Sequence, residues 1–405
     1  MRIRSITYFF DPARLSPKTA LHSIDIHRDA LQENLSSAGY AVQSVRLATT
    51  PFPRWLDVQN EQKVCENIRD LCSLVQGASF DYLSLGPCRM HDGAMESLIP
   101  SLLSLSDILF VSMQLSDLQD GVSLPDIRAC ARVIKQNAGI QADGFANLRF
   151  AGLANCKPFT PFFPAAYGED GAFAFSLAME CADCALQAFT QAAHIPGGCQ
   201  SLIATLEEQA RTIEAIIEKS SLRSAPVFQG FDFSLAPYPE EWCSFGKALE
   251  AMGVARIGSA GSLAAAAILA GALDSGKWKK AGFNGLMMPI LEDNTLAERS
   301  GAGFLSIYDV LQYSSVCGTG LDTVPLAGDV EEEKLEALLL DVAALAVRLN
   351  KPLTARLMPI PGKKAGDAIE FNFPYFAKGK VLDYPYSGIS RPLIAGKNIP
   401  IKPRG

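Results

Sequence analysis

What most restricts how this chain can fold is an alternation that runs almost from end to end. Short runs rich in β-branched and aromatic residues are separated by longer amphipathic segments. The short runs are Arg2 to Tyr8, Ala41 to Ala48, Tyr82 to Leu85, Ile108 to Leu115, Leu148 to Ala154, Val227 to Leu235, Phe283 to Ile290, Ser314 to Cys317 and Leu353 to Met358. A further strand is expected near Ala255 to Ile257 or Phe304 to Tyr308. Strands joined through helices cannot pair as tight hairpins, so the spacing predicts a parallel α/β architecture. With 405 residues, 48% of them hydrophobic, the chain has material for a large core, and α/β barrels reach this size as one unit.

Local signals fit the same picture. Asp329 followed by Glu332 reads as a helix cap, and Leu335, Leu338, Leu339, Val342, Leu345 and Leu349 form one apolar face of the helix that follows. Thr295 and Glu298 read as a second capping box. Cys181 and Cys184 fall in an Ala-rich run, Phe175 to Ala193, which reads as a helix with both thiols on one buried face. No linker divides the chain. Residues 1–358 are expected to form the α/β domain, and the Pro-rich residues 359–405 to wrap over it as loops and short extended pieces.

Charge and composition narrow the partners. A net charge of −7 provides no long-range attraction for nucleic acid or anionic lipid, and the basic stretch Lys397 to Arg404 reads as a solvated tail. The start of the chain lacks signal-peptide organisation, and the apolar stretch Ser262 to Leu273 is too short to span a bilayer. The expectation is a cytoplasmic protein, with no nucleic-acid or membrane partner, that binds a small molecule; a homo-oligomer is compatible with this. Ten cysteines without a dense framework point to reduced thiols, and four histidines are too few to favour a zinc or iron centre.

Chemistry is expected at the carboxyl ends of the strands, where ligands collect in parallel α/β folds. The segment Ser314 to Asp329 carries Cys317, Gly318, Gly320 and Asp322: a thiol, two glycines that let backbone amides approach a ligand, and a carboxylate with no capping role. It lacks the spacing of a phosphate loop. In Val227 to Leu235, strand alternation puts Gly230, Asp232 and Ser234 on one face and Phe231, Phe233 and Leu235 on the other. Glu292 and Asp293 follow the run that ends at Ile290. Arg46 and Arg356 each sit inside an apolar strand, placed either to clamp a substrate anion or to pair with these acids. Cys317, Asp322, Asp232 and Glu292 are therefore candidate catalytic groups, and Arg46, Gly318 and Gly320 candidate substrate contacts. Asp232, Glu292, Asp293 and Asp322 together would offer the hard oxygen ligands that suit magnesium, calcium or manganese. The stiff aromatic run Pro158 to Tyr167 reads as a pocket wall or a rigid crossing, and His194 as the carboxyl end of a helix.

Several of these segments, taken in order, resemble the uncharacterised family called domain of unknown function 711. They are Ile3-Arg4-Ser5-Ile6-Thr7, Val45-Arg46-Leu47-Ala48-Thr49, Pro161 to Tyr167, Cys317-Gly318-Thr319-Gly320-Leu321-Asp322 and Pro359-Ile360-Pro361-Gly362-Lys363-Lys364. The resemblance implies a ten-stranded α/β barrel like that of pyruvate formate-lyase and related glycyl-radical enzymes. It does not carry their chemistry: there is no adjacent cysteine pair, and Tyr386-Ser387-Gly388-Ile389-Ser390 departs from a glycyl-radical motif. The leading expectation is an enzyme acting on a small polar or anionic metabolite. The rival is a non-catalytic metabolite-binding or scaffold protein on the same fold.

Overall fold

The computed structural model describes residues 1–117, 121–220, 225–316, 318–389, 393 and 395–404. Its centre is a mostly parallel sheet built from β1 (Arg2–Phe10), β2 (Val45–Thr49), β3 (Tyr82–Cys88), β4 (Leu109–Asp117), β5 (Gly121–Ser123), β6 (Phe150–Ala154), β7 (Phe173–Glu180), β8 (Val227–Ala236), β9 (Gly320–Ala327) and β10 (Leu353–Ile360). Hydrogen-bonded neighbours run in the order β8-β7-β1-β2-β3-β4-β6-β10-β9.

Strands β1, β2, β3, β4 and β6 are mutually parallel. β7 meets β1, and β10 meets β6, in antiparallel register. β8 and β9 then continue parallel to β7 and β10. The sheet therefore consists of two parallel groups that point in opposite directions.

Strand alternation gives the sheet two different faces. Ile6, Tyr8, Leu47, Leu83, Val111, Leu177, Phe233 and Leu357 pack in the main core with helix residues such as Ile24, Leu202 and Leu338. The opposite face carries small hydroxyl groups, and the segment after β6 lies on it. Thr7 donates to the Pro161 carbonyl (3.4 Å), Ser84 to Ala166 (2.7 Å) and Ser176 to Phe159 (2.8 Å). Those donors come from three strands, so the aromatic run Pro158 to Tyr167 is held as a rigid plug rather than a surface crossing.

Several local expectations are corrected. Phe283 to Ile290 is not a regular strand, although it bonds to the strands at both ends of the sheet order. Leu235 N donates to Gly285 O, while Ile290 N donates to Asp322 O. Ser314 to Val316 belongs to the helix Ile307–Val316, and Cys317 lies outside the described residues. Neither Ala255 to Ile257 nor Phe304 to Tyr308 is a strand. Conversely, β7 takes the first six residues of the Ala-rich run Phe175 to Ala193, because its partners β1 and β8 take up its backbone donors and acceptors, while Ala182–Gln191 is helical as expected. Cys181 thus caps the shorter helix Ala182–Gln191. Asp293 rather than Thr295 caps Asn294–Gly301, and Glu331 rather than Asp329 precedes Glu332–Leu349. His194 accepts from Gly197 N at the amino end of Ile195–Ser220, not at a carboxyl end. Beyond β10 the chain makes turns and two-residue strand pairs, as its prolines suggest. No helix among the described residues is long and apolar enough to cross a membrane.

Candidate functional site

A cavity of about 290 Å³ opens where β1, β2, β3 and β4 begin, against Arg356 in the interior of β10. It therefore lies at the amino ends of those parallel strands, in contrast to the simple expectation for a parallel fold. Arg4, Arg46, Arg149, Arg356, Asp107 and Glu292 supply its charged groups. Arg46 reaches it because Val45 and Leu47 turn toward the helices, which leaves the intervening side chain on the plug side of the sheet.

The charges are arranged in an unequal way. Glu292 is bound by Arg4 and, at 2.9 Å, by Arg356 Nη2; Arg356 Nε also donates to Asp322 Oδ1 at 2.5 Å. Burial acts to raise the pKa of Glu292, but the two guanidinium groups outweigh it and hold the carboxyl below its usual value. For Asp322 burial wins despite Arg356, so its pKa is raised, and its Oδ2 has no hydrogen-bond partner. Burial likewise acts to lower Arg356, yet Asp322 and Glu292 keep it raised.

Arg46 has no such carboxylate. Its Nε donates to Ser44 Oγ at 2.9 Å, and its guanidinium lies over Tyr82 and Phe163, 5.6 and 5.3 Å from their ring centroids. Among the described residues no acidic side chain stands within ion-pair distance of it. Burial and the nearby Arg4 bring its pKa down to about 10. The plug supplies Phe162 and Phe163 to the cavity wall, and the Pro-rich tail supplies Phe373 and Tyr375.

Of the residues expected to form one site, Arg46 and Glu292 share this cavity and Asp322 is joined to it through Arg356. Asp232 lines a void of about 20 Å³ with Arg4 and Arg46. It accepts from Ser234 N and Oγ, Phe283 N and Asn284 N, bonds that fix the irregular segment against β8. Gly318 and Gly320 are buried elsewhere for packing reasons. A Cβ on Gly320, whose φ is +99°, would stand 2.1 Å from Thr354 O, and one on Gly318 would meet Ser314 Oγ at 2.9 Å. The proposed cation ligands do not converge. Asp293 accepts from Ser244 and from the amides of Phe245 and Gly246, while Glu292 and Asp322 are compensated by arginines. No group of three or more His, Cys, Asp or Glu side chains fit to hold a metal occurs among the described residues.

Arg4 and the ring residues Tyr82, Phe145 and Phe373 were not picked out from sequence. Arg4 carries the same signal as Arg46, a cation inside an apolar strand. The rings carry none, because aromatic residues are ordinary in strands and cores.

A larger cavity of about 650 Å³ lies at the carboxyl ends of β2, β3 and β6. Its cations are mostly in water, with Arg54 58% exposed and paired to Asp170, so no buried charge there asks for a ligand. The smaller cavity is the better candidate.

The family model described as "Uncharacterised ACR (DUF711)" matches residues 1–372. The chain belongs to this DUF711 family. A UPF0210 protein of Pyrobaculum arsenaticum is 27% identical over 399 residues, covering 91% of this chain and 84% of the relative. A UPF0210 protein of Acetivibrio thermocellus is 29% identical over 357 residues, covering 82% and 77%. These DUF711 relatives have names that state no activity, so function has to be argued from the cavity.

Proposed function

We propose that the protein is an enzyme acting on a small organic anion, which docks its negative group on Arg46 in the cavity of about 290 Å³. The observation that carries this reading is a half-buried guanidinium, at the wall of a cavity, with no carboxylate within ion-pair distance among the described residues. A charge drawn partly out of water without a partner is costly in general, and such groups cluster where a ligand completes them. Asp322 supports a chemical role, since a carboxyl with a raised pKa and an unpaired Oδ2 can hold a proton that ionised Glu292 cannot. Saturation of Glu292 by two arginines favours the rival reading, a binding protein without turnover.

The finer fold belongs to the same proposal. The edge strands β8 and β9 both bond to the segment 279–291, so that segment can serve as the irregular tenth stave of a barrel in which the plug occupies the interior. Free buried thiols, such as Cys88 and Cys181, support a reducing cytoplasmic setting.

The test is isothermal titration of the wild-type chain and Arg46→Gln with a panel of organic anions, followed by product analysis of any that bind. Binding that is lost in Arg46→Gln supports the site, and turnover that Asp322→Asn abolishes without loss of affinity supports the enzyme. Binding without turnover leaves the non-catalytic rival. Equal affinity in both chains would sink the Arg46 site.

A further inference from the structure

The charges and rings around the cavity restrict which anion it can take. We propose that its ligand is an aromatic monocarboxylate, a molecule with one negative group at one end and a flat ring for a body. This rests on the anion reading above and names its chemical class.

The number of negative charges follows from pairing. Arg4 and Arg356 stand against Glu292 and Asp322. Arg149 stands 3.4 Å from Asp107, and Arg2 stands 3.8 Å from Glu180. Each of these four carboxylates has a cation, and Arg46 is left with none, while Asp232 beside the adjoining void is held by Ser234, Phe283 and Asn284 instead of by a cation. One fixed positive charge behind low-dielectric walls favours one negative charge; a phosphate dianion or a tricarboxylate would bring charge that nothing there neutralises. Arg149 is more committed: its Nη1 donates to the carbonyls of Leu103 and Ser106 and its Nη2 stands 3.4 Å from Asp107, which leaves only a buried Nε without a partner. The planar fork of Arg46 is also the shape that binds a carboxylate through two parallel hydrogen bonds.

The body of the ligand follows from the walls. Two separate aromatic groups border the cavity. In one, Phe110 packs edge-on against Tyr82 and Phe163, at 5.2 and 5.3 Å between centroids. In the other, Phe373 packs against Phe145 and Tyr375, at 5.0 and 5.1 Å. The first group comes from strands and the plug, the second from the tail and the turn before β6, so they belong to different hydrophobic clusters. The rings suit an apolar, flat body, and the neutral hydrogen-bonding side chains beside them are Gln43, Gln141, Tyr82 and Tyr375. The volume lies at the low end of the about 300–1,000 Å³ common for small-molecule sites, so the molecule is small.

The experiment uses the full chain and calorimetric titration with benzoate, phenylacetate and 3-phenylpropionate. Acetate, citrate, inorganic phosphate and the neutral phenylacetamide serve as comparisons. At least one aromatic acid should bind more tightly than acetate, citrate or phosphate. Losing a charge-assisted bond should make phenylacetamide, and the best acid with Arg46→Gln, weaker by about 10- to 100-fold. Phe373→Leu should weaken the aromatic acid and leave acetate unchanged. If citrate or phosphate binds best, and Arg46→Gln removes that binding, the aromatic class is wrong while the anion site stands. If no anion binds the wild-type chain, the underlying anion reading fails as well. A circular dichroism spectrum that matches the wild type secures the variants as folded.

Discussion

Replacing Arg46 with Met should be nearly neutral for stability, whereas the same replacement of Arg356, which lines the same cavity but is paired, should be costly. Lowering the Arg46 pKa from 12.5 to about 10 corresponds to about 3 kcal/mol of burial cost that Met would not bear, an upper bound because the group borders a cavity that admits water. Against this, Met forfeits the two ring contacts, ~1 kcal/mol each, and the Ser44 hydrogen bond, ~1 kcal/mol. These terms cancel to within about 1 kcal/mol. Arg356→Met instead strands Asp322 and Glu292, a loss of about 3–5 kcal/mol. For a chain of 405 residues, ~1 kcal/mol moves Tm by about 1 °C. Differential scanning calorimetry at pH 7 should therefore show Arg46→Met within about 2 °C of wild type and Arg356→Met lower by about 4–6 °C. Equal losses would mean that Arg46 is part of the structural ion-pair network, and the argument for a ligand would collapse.

Other consequences are open to the same kind of measurement. His27 is buried with its Nδ1 2.9 Å from Tyr8 Oη, and burial lowers its pKa from 6.5 to about 4. The unfolded chain then takes up the proton first, so stability is lost as pH falls from 6.5 toward 4, by roughly 2–3 kcal/mol; His27→Phe should flatten that part of a Tm-against-pH curve, and an unchanged slope would refute the assignment. Asp232→Ala leaves four donors of Ser234, Phe283 and Asn284 without their acceptor. It should cost about 3–5 kcal/mol and speed amide exchange across 281–285 more than elsewhere, and a uniform increase would count against a local clasp. Gly320→Ala places a Cβ 2.1 Å from Thr354 O at a φ of +99°, so a loss of about 2 kcal/mol or more is expected in urea melts, with full wild-type stability as the contrary result.

Part of the candidate site was legible because a charged residue inside an apolar strand is conspicuous. Arg46, Asp232 and Arg356 stood out on that ground, Glu292 stood out as an acid just after the run that ends at Ile290, and the aromatic run Pro158 to Tyr167 was marked as a pocket wall or a rigid crossing. What could not be read was the pairing. Whether Arg46 or Arg356 meets Asp322 depends on which strands are neighbours, and β9 and β10 are adjacent while β2 stands near the middle of the order, five places from β9. The residue left unpaired, which carries the functional argument, is chosen by topology alone. Cys317, prominent in sequence, lies outside the described residues.

The sequence by itself determined the α/β class, the run Arg2–Phe10, the two-faced strand Val227–Ala236 and the long helix Glu332–Leu349. In each, hydrophobic periodicity and local backbone preference agree, so the element is specified within its own length. Only the tertiary structure decided that Phe173–Glu180 is a strand and that Phe283 to Ile290 is not. Phe173–Glu180 is extended because β1 and β8 satisfy its backbone on both sides, while Phe283 and Asn284 are bent around the carboxylate of Asp232. Tertiary structure also set the opposed direction of the two strand groups, which brings the start of β2 and the interior of β10 to one cavity. Local propensity is worth a few tenths of a kcal/mol per residue, and burial with hydrogen bonding to distant partners outweighs it.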